Sequence, residues 1–271
     1  MPEYLDNAVN IAHEAGRLLI EFHRLHVGFE LKGDFDLVTE ADRASERLVV
    51  ERLLANYPDH SIVAEEGGGR EGSSEYRWFV DPLDGTTNFA HGYPAFNVTL
   101  ALARGDEMIA GVVYDPLREE MFAAEKGSGA YLNDRKIHVS SARHLADSLV
   151  STGFPSKKRS QNVNIHFYHQ LAMSTHGVRR GGSAALDLSY VACGRLDAFW
   201  EFGLNPWDLA AGTLLVTEAG GICSDMRGKP HTLKSPHLLV DNGLIHEEVL
   251  ELFGEVFSGL YRIPMPPIVP S

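Results

Sequence analysis

The sequence predicts a mixed α/β chain, and three observations predict it. Four β-type runs (Phe96–Ala103, Ile109–Tyr114, Met121–Glu125 and Ala130–Leu132) follow one another with tight turns between them, the pattern of an antiparallel meander. From about Asp147 the pattern changes to alternating strand and helix, which argues for an α/β second half. Ahead of both, the stretch Trp78–His91 joins an apolar, strand-like run to a helix start through an acidic turn.

Taken in order, Leu5–Leu25 carries apolar residues at helical spacing (Leu5, Val9, Ala12, Ala15, Leu18, Leu19, Phe22) and reads as an amphipathic helix. His13, His23 and His26 read as surface or packing residues, because no second cluster stands at a ligand spacing. Asp36-Leu37-Val38-Thr39-Glu40-Ala41-Asp42 leads into a second helix ending near Asn56. Thr39 and Asp42 form a capping pair, and Asp42 is also placed to accept a hydrogen bond from a hydroxyl elsewhere. Ser61–Ala64 is a short buried strand delivering Glu65-Glu66 into a glycine-rich loop that reads as a flap. Two adjacent glutamates repel each other unless one meets a cation or both are solvated.

The acidic turn Asp81-Pro82-Leu83-Asp84-Gly85-Thr86-Thr87-Asn88 carries the most chemistry. Pro82 stiffens it, and Gly85 permits a bend or a close approach that a side chain would block. The helix start that follows offers free N–H groups and a partial positive charge, a natural seat for phosphate. Carboxylates beside a phosphate seat require cations between them, and hard ions such as Mg²⁺ suit oxygen donors. The local reading is a metal-dependent phosphate site.

After the meander come strand Leu149–Thr152, a helix around Asn162–Thr175, a strand near Val178 and helix Ser183–Cys193. Strand Ala198–Trp200, helix Pro206–Glu218, strand His237–Val240 and helix Ile245–Leu260 complete the order. Lys157-Lys158-Arg159 reads as a solvated loop, and His166 with His169 as structural. Arg179-Arg180-Gly181-Gly182-Ser183 forms either an anion- or hydroxyl-binding corner or a plain Ser183 N-cap. Pro206 suits a first helical turn, where the dipole favours Asp208, and Ala210, Ala211 and Gly212 allow close packing.

Composition excludes several classes. The 271 residues are 44% hydrophobic and 23% charged, as in an ordinary globular protein. A formal net charge of −13 opposes nonspecific attraction to nucleic acid or an anionic membrane. No apolar run approaches a membrane span, and the first residues lack a basic start and apolar core. Cys193 and Cys223 form no motif and fit free thiols in a reducing, cytoplasmic setting.

Four motifs together resemble the inositol monophosphatase family of Mg²⁺-dependent, lithium-sensitive sugar-phosphate phosphatases. They are Asp36–Asp42, the Glu65-Glu66 strand end, Asp81–Phe89, and Pro206-Trp207-Asp208-Leu209-Ala210-Ala211-Gly212. They stand in the family's order and spacing, and the resemblance runs from about residue 5 to 260. It implies five alternating layers, αβαβα, of the inositol monophosphatase/fructose-bisphosphatase type, usually in a homodimer. It also implies an N-terminal α+β lobe (1–145) with most metal motifs, a C-terminal α/β lobe (146–262) with substrate contacts and the last ligand, and a Pro-rich tail (263–271).

By the same resemblance two to three Mg²⁺ ions would be held by Glu65, Asp81, the Leu83 carbonyl oxygen, Asp84 and Asp208. Gly85 and Thr86 would offer backbone N–H groups to the phosphate. Thr86 and Asp42 would take the proton of the attacking water, with Glu65 completing the catalytic set. Ser183, Ala184, Glu201 and Asp208 would contact the substrate. The implied reaction is direct in-line hydrolysis of an inositol monophosphate without a phosphoenzyme. Glu201 favours a polyol, since a carboxylate pairs with vicinal hydroxyls and repels a second phosphate. Histidinol phosphate, fructose 1,6-bisphosphate and 3′-phosphoadenosine 5′-phosphate are the substrates of neighbouring subfamilies. Association with the transcription machinery, as in some bacterial relatives, is the alternative role.

Overall fold

The computed structural model describes residues 2–25, 28–33, 36–154 and 162–265. The basic run Lys157-Lys158-Arg159, His26 and the tail beyond residue 265 lie outside the described residues.

Five layers stack, and the period-2 pattern of the strands assigns each face. The first layer is helices α1 (Pro2–Leu25) and α2 (Glu40–Asn56). The second is a seven-stranded sheet in which neighbours follow chain order. It runs β3 (Ser61–Ala64), β4 (Tyr76–Asp84), β5 (Asn97–Arg104), β6 (Glu107–Asp115), β7 (Glu120–Glu125), β8 (Gly129–Leu132) and β9 (Arg135–Ile137). Only the β3–β4 pair is parallel; from β4 onward the sheet is the expected meander. Trp78, Val80, Leu100, Leu102 and Val112 point to α1 and α2, with Ala12, Leu19, Val49 and Leu53 against them. Phe79, Ala101, Ala103 and Val113 point the other way. Alternate residues of one strand therefore serve two cores.

The central layer is α5 (Ala184–Ala192) and α6 (Pro206–Glu218), buried on nearly every side. α6 can lie close to the sheet because both surfaces are small where they meet. A Cβ at Gly111 of β6 would lie 3.0 Å from the Ala211 Cα. The run Ala210-Ala211-Gly212 thus has the packing role its composition suggests.

The fourth layer is a mixed five-stranded sheet ordered β11 (Gly177–Arg179), β10 (Leu149–Thr152), β12 (Ala198–Phe202), β14 (His237–Asp241) and β13 (Ile222–Ser224). Phe199, Leu238 and Val240 face the central helices, while Val150, Ala198, Trp200 and Leu239 face outward. Helices α4 (Asn164–Ser174) and α7 (His246–Phe257) cover that outer face through Phe167, Leu171, Val249 and Phe253. The result is the αβαβα sandwich.

Some elements differ from the sequence reading. An antiparallel hairpin, β1 (Phe29–Gly33) with β2 (Asp36–Thr39), precedes α2, and β9 and β13 are short additional strands. Each is three to five residues long, too short to show a period. The glycine-rich loop after Glu65 folds back on β3, with an Ile62–Arg70 bridge and a Gly72 N–H bond to the Ser61 hydroxyl. His13 packs edge-on to Tyr114, and His23 lies beside Phe89 and Phe96.

Candidate active site

The acidic turn ends β4 at one end of the large sheet, and residues from four other elements meet it around a cavity of about 510 Å³. Asp81 is the last residue of β4 in regular register with β5 before the ladder shifts ahead of Asp84. Gly85 then adopts φ 92°, and a Cβ there would lie 2.8 Å from the Ala95 carbonyl oxygen. Only glycine meets both conditions without strain. The chain enters the short helix α3 (Thr86–Ala90) directly after it.

Each carboxylate is fixed by its own helix or strand end. Asp42 is the third residue of α2 in a capping box with Thr39: its Oδ2 accepts from the Thr39 N–H at 2.7 Å and hydroxyl at 2.6 Å. Its Oδ1 accepts from the Thr86 hydroxyl at 2.9 Å, so Asp42 both caps and accepts. That hydroxyl also lies 3.1 Å from the Leu83 carbonyl oxygen. Asp208 repeats the arrangement in the first turn of α6, where its Oδ2 accepts from the Asn205 N–H at 2.7 Å. Asp84 is held by three donors on one oxygen: the Ser183 hydroxyl (2.7 Å), the Asn97 amide (3.0 Å) and the Ala185 N–H at the start of α5 (2.9 Å). Ser183 also caps α5 through the Leu186 N–H. Ser183 and Ala184 line the cavity, and the Ser183 hydroxyl is spent on Asp84.

The electrostatics are those of acids crowded together. Burial first, then the charges of Glu65, Asp84 and Asp208, push the Asp81 carboxyl well above the carboxylate range. Burial also raises Asp84, against the pull of Ser183, Asn97 and the Ala185 and Ala184 N–H groups. Asp208 is pushed up to about 7, chiefly by burial, with Asp84 adding to it and the Asn205 bonds opposing. Glu201 is raised well above its usual range by burial and by Asp208, Asp187 and Asp84. Ionising such a set is costly unless positive charge enters.

The donor set fits a hard divalent cation: Glu65, Asp81, Asp84 and Asp208 line one cavity, and the Leu83 backbone stands between two of them. Among the described residues no three acidic, His or Cys side chains already converge on one point as a finished metal site.

Sequence reasoning passed over several residues of this wall. Asn97 is fully buried at the start of β5 and faces Asp84 across the ladder; a polar pair, Asn97 and Thr99, inside an apolar strand was its signal. Asp187 is 4% exposed on α5 and lines the cavity near Arg180. Gly153 leaves the space that the Glu201 carboxylate fills, since a Cβ at Gly153 would overlap that carboxylate. Asn88 ties Gly181 to the acidic turn, its amide donating to the Ala95 and Gly181 carbonyl oxygens at 2.7 and 2.9 Å. Asp187 and Gly153 have no local signature, and the partners of all four residues are set by the fold.

The five-layer αβαβα fold sets an acidic cavity where the sheet end and the central helices meet, and what such a fold does is decided by that site. The model of the inositol monophosphatase family matches residues 1–257, and the chain belongs to that family. The chain is 46% identical over 250 residues to Nus factor SuhB of Pseudomonas aeruginosa, covering 89% of this chain and 92% of that one. It is 43% identical over 253 residues to inositol-1-monophosphatase of Mesorhizobium japonicum, covering 91% and 94%. Among solved structures, the extragenic suppressor protein suhB of Bartonella henselae superimposes with a TM-score of 0.89 at 38% identity, covering 93% of this chain and 98% of that one. No helix among the described residues is long and apolar enough to cross a membrane.

Proposed function

We propose that this chain is a Mg²⁺-dependent phosphomonoesterase that hydrolyses inositol monophosphate to inositol and phosphate. The observation that carries the reading is the Thr86 hydroxyl donating to a clamped Asp42 at the edge of a cavity lined by Glu65, Asp81, Asp84 and Asp208. Glu65, Asp81, the Leu83 carbonyl oxygen, Asp84 and Asp208 would hold two to three Mg²⁺ ions. When bound, such ions lower the pKa of a coordinated water and stabilise charge on phosphoryl and leaving oxygens.

The chain's own residues supply the rest. Thr86 orients the attacking water and passes its proton toward Asp42, whose other oxygen is fixed by Thr39 so that the acceptor does not swing away. The Gly85 and Thr86 N–H groups at the opening of α3 receive the phosphate. Glu201 and Asp208 meet the polyol hydroxyls, and Ser183 and Ala184 act at the same wall, where Ser183 steadies Asp84. The relative named inositol-1-monophosphatase supports the substrate. Homodimeric assembly, lithium sensitivity and a cytoplasmic setting complete this reading.

The test is phosphate release from inositol 1-phosphate, histidinol phosphate, fructose 1,6-bisphosphate and 3′-phosphoadenosine 5′-phosphate, with Mg²⁺ and with EDTA. Preference for inositol 1-phosphate that needs Mg²⁺ is expected. Preference for another ester would move the chain to a neighbouring substrate, and equal rates in EDTA would remove the metal. The relative named Nus factor SuhB supports a second reading, association with the transcription machinery beside catalysis. Capture of transcription proteins by a turnover-dead variant would separate the two roles.

A further inference from the structure

One face of α2 holds two separate segments beside the cavity, the acidic turn and the chain after β3. Asp42, Ser45 and Glu46 stand at i, i+3 and i+4 and therefore share a face. All three are buried, at 0%, 0% and 5% exposure. Asp42 takes the Thr86 hydroxyl, as described above. The Ser45 hydroxyl donates to the Pro82 carbonyl oxygen at 2.8 Å, inside the acidic turn. Glu46 reaches the second segment: its Oε2 accepts from the Glu66 N–H at 2.7 Å and its Oε1 from the Gly68 N–H at 2.7 Å.

Glu46 therefore fixes the backbone immediately after Glu65. A buried carboxylate is costly unless its oxygens are matched, and here two charge-assisted bonds from backbone N–H groups match them. The fit is close, because a Cβ at Gly68 would lie 2.7 Å from Glu46 Oε1. With both N–H groups turned to one carboxylate, the peptides on the C-terminal side of Glu65 have a set direction. Glu65 itself follows β3, which is anchored in parallel register with β4 through Ala64 and Val80. Strand and clamp together hold the backbone on both sides of Glu65, which lines the cavity. Ser45 does the same for the turn that carries Asp81, Leu83 and Asp84. Helix α2 is thus a rigid spacer between two groups of acids that come from different loops.

We propose that Glu46, assisted by Ser45, is a positioning residue for the divalent-cation site, setting cation affinity without touching the ion. This rests on the metal reading above. Groups that orient ligands from behind typically change metal affinity by about 10–100-fold when altered.

The experiment is calorimetric titration of Mg²⁺ into EDTA-stripped, re-purified wild type, Glu46→Gln, Ser45→Ala and Glu51→Ala. Glu51 is an exposed acid on the same helix, so it controls for lost negative charge. Glu46→Gln keeps one acceptor oxygen and turns an N–H against the other backbone donor. Its Mg²⁺ affinity is expected to fall about tenfold. Ser45→Ala is expected to weaken binding in the same direction, and Glu51→Ala to match wild type. The Mg²⁺ concentration for half-maximal turnover should rise in parallel, with kcat recovered at saturating Mg²⁺. A simple loss of stability would not move the affinity of the folded protein. Wild-type affinity in folded Glu46→Gln would overturn the proposal while leaving the metal reading standing. Should Glu46→Gln not fold, wild-type affinity in Ser45→Ala would overturn it equally. Absence of Mg²⁺ binding by wild type would remove the metal reading and this inference together.

Discussion

At the scale of single residues, two carboxylates of the cavity, Asp84 and Glu201, test the two halves of the proposed function, chemistry and recognition. Asp84 receives three donors on one oxygen. An Asp84→Asn side chain can keep that oxygen as an acceptor while losing the charge. Turnover is expected to fall at least about a hundredfold, beyond the loss usual for a group that only orients a ligand. Unchanged circular dichroism would show the fold intact, and wild-type-like turnover would remove Asp84 from the ligand set. In the proposed reading Glu201 meets the polyol that carries the phosphate rather than the phosphate itself. Glu201→Ala is expected to raise KM for inositol 1-phosphate about tenfold, the scale of a hydrogen bond to a charged group. KM for a small ester such as glycerol 2-phosphate should change little. Equal effects on both substrates would take Glu201 out of the substrate site.

At the scale of elements, helix starts hold the acids in place. Asp42 and Asp208 occupy the same position in the first turns of α2 and α6, and Asp84 meets the first turn of α5. A helix start offers N–H groups and a favourable dipole, so each acid is oriented by backbone that the fold needs anyway. This works only while α6 sits tightly on the large sheet. Gly111→Val would push β6 against Ala211, and overpacking of this kind costs about 1–3 kcal/mol. Urea unfolding should show that loss. A midpoint equal to wild type would mean that the layers part more easily than their close approach implies.

At the scale of the whole molecule, the crowded acids make stability depend on pH and on cations. Asp208 has a folded pKa of about 7 against 3.8 for an ordinary Asp, and Asp81, Asp187 and Glu201 are raised as well. Between about pH 4 and 7 the unfolded chain releases protons that the folded chain retains. The stability Asp208 contributes is therefore fully present below about pH 4 and is lost as pH rises through about 7, and the other raised acids act in the same direction. The melting temperature of EDTA-treated protein is expected to fall across that window, and Mg²⁺ added at pH 7.5 to restore it. A flat profile in EDTA, or no recovery with Mg²⁺, would mean that the acids are compensated within the protein. Binding to the folded state alone would give the recovery by mass action.

The sequence by itself determined the elements and the local corners of the site. Period-2 and period-3.6 patterns placed nearly every long strand and helix, because burial on one face repeats along the chain. Thr39 with Asp42, the Pro82–Gly85 turn and Pro206 with Asp208 were legible because a helix start or turn imposes its chemistry within four residues. The short hairpin of β1 and β2 was not legible, since too few residues repeat. What only the tertiary structure decided was which corners meet. Asn97 lies 13 positions from Asp84, Ser183 lies 99 away, and Gly153 opens the space for a carboxylate on another strand. The clamp of Glu46 on the chain after Glu65 spans 20 positions and has no sequence spacing of its own. Contacts of this kind are set by how layers stack and strands register. A charge or a gap in one segment acquires meaning only when another segment is folded against it.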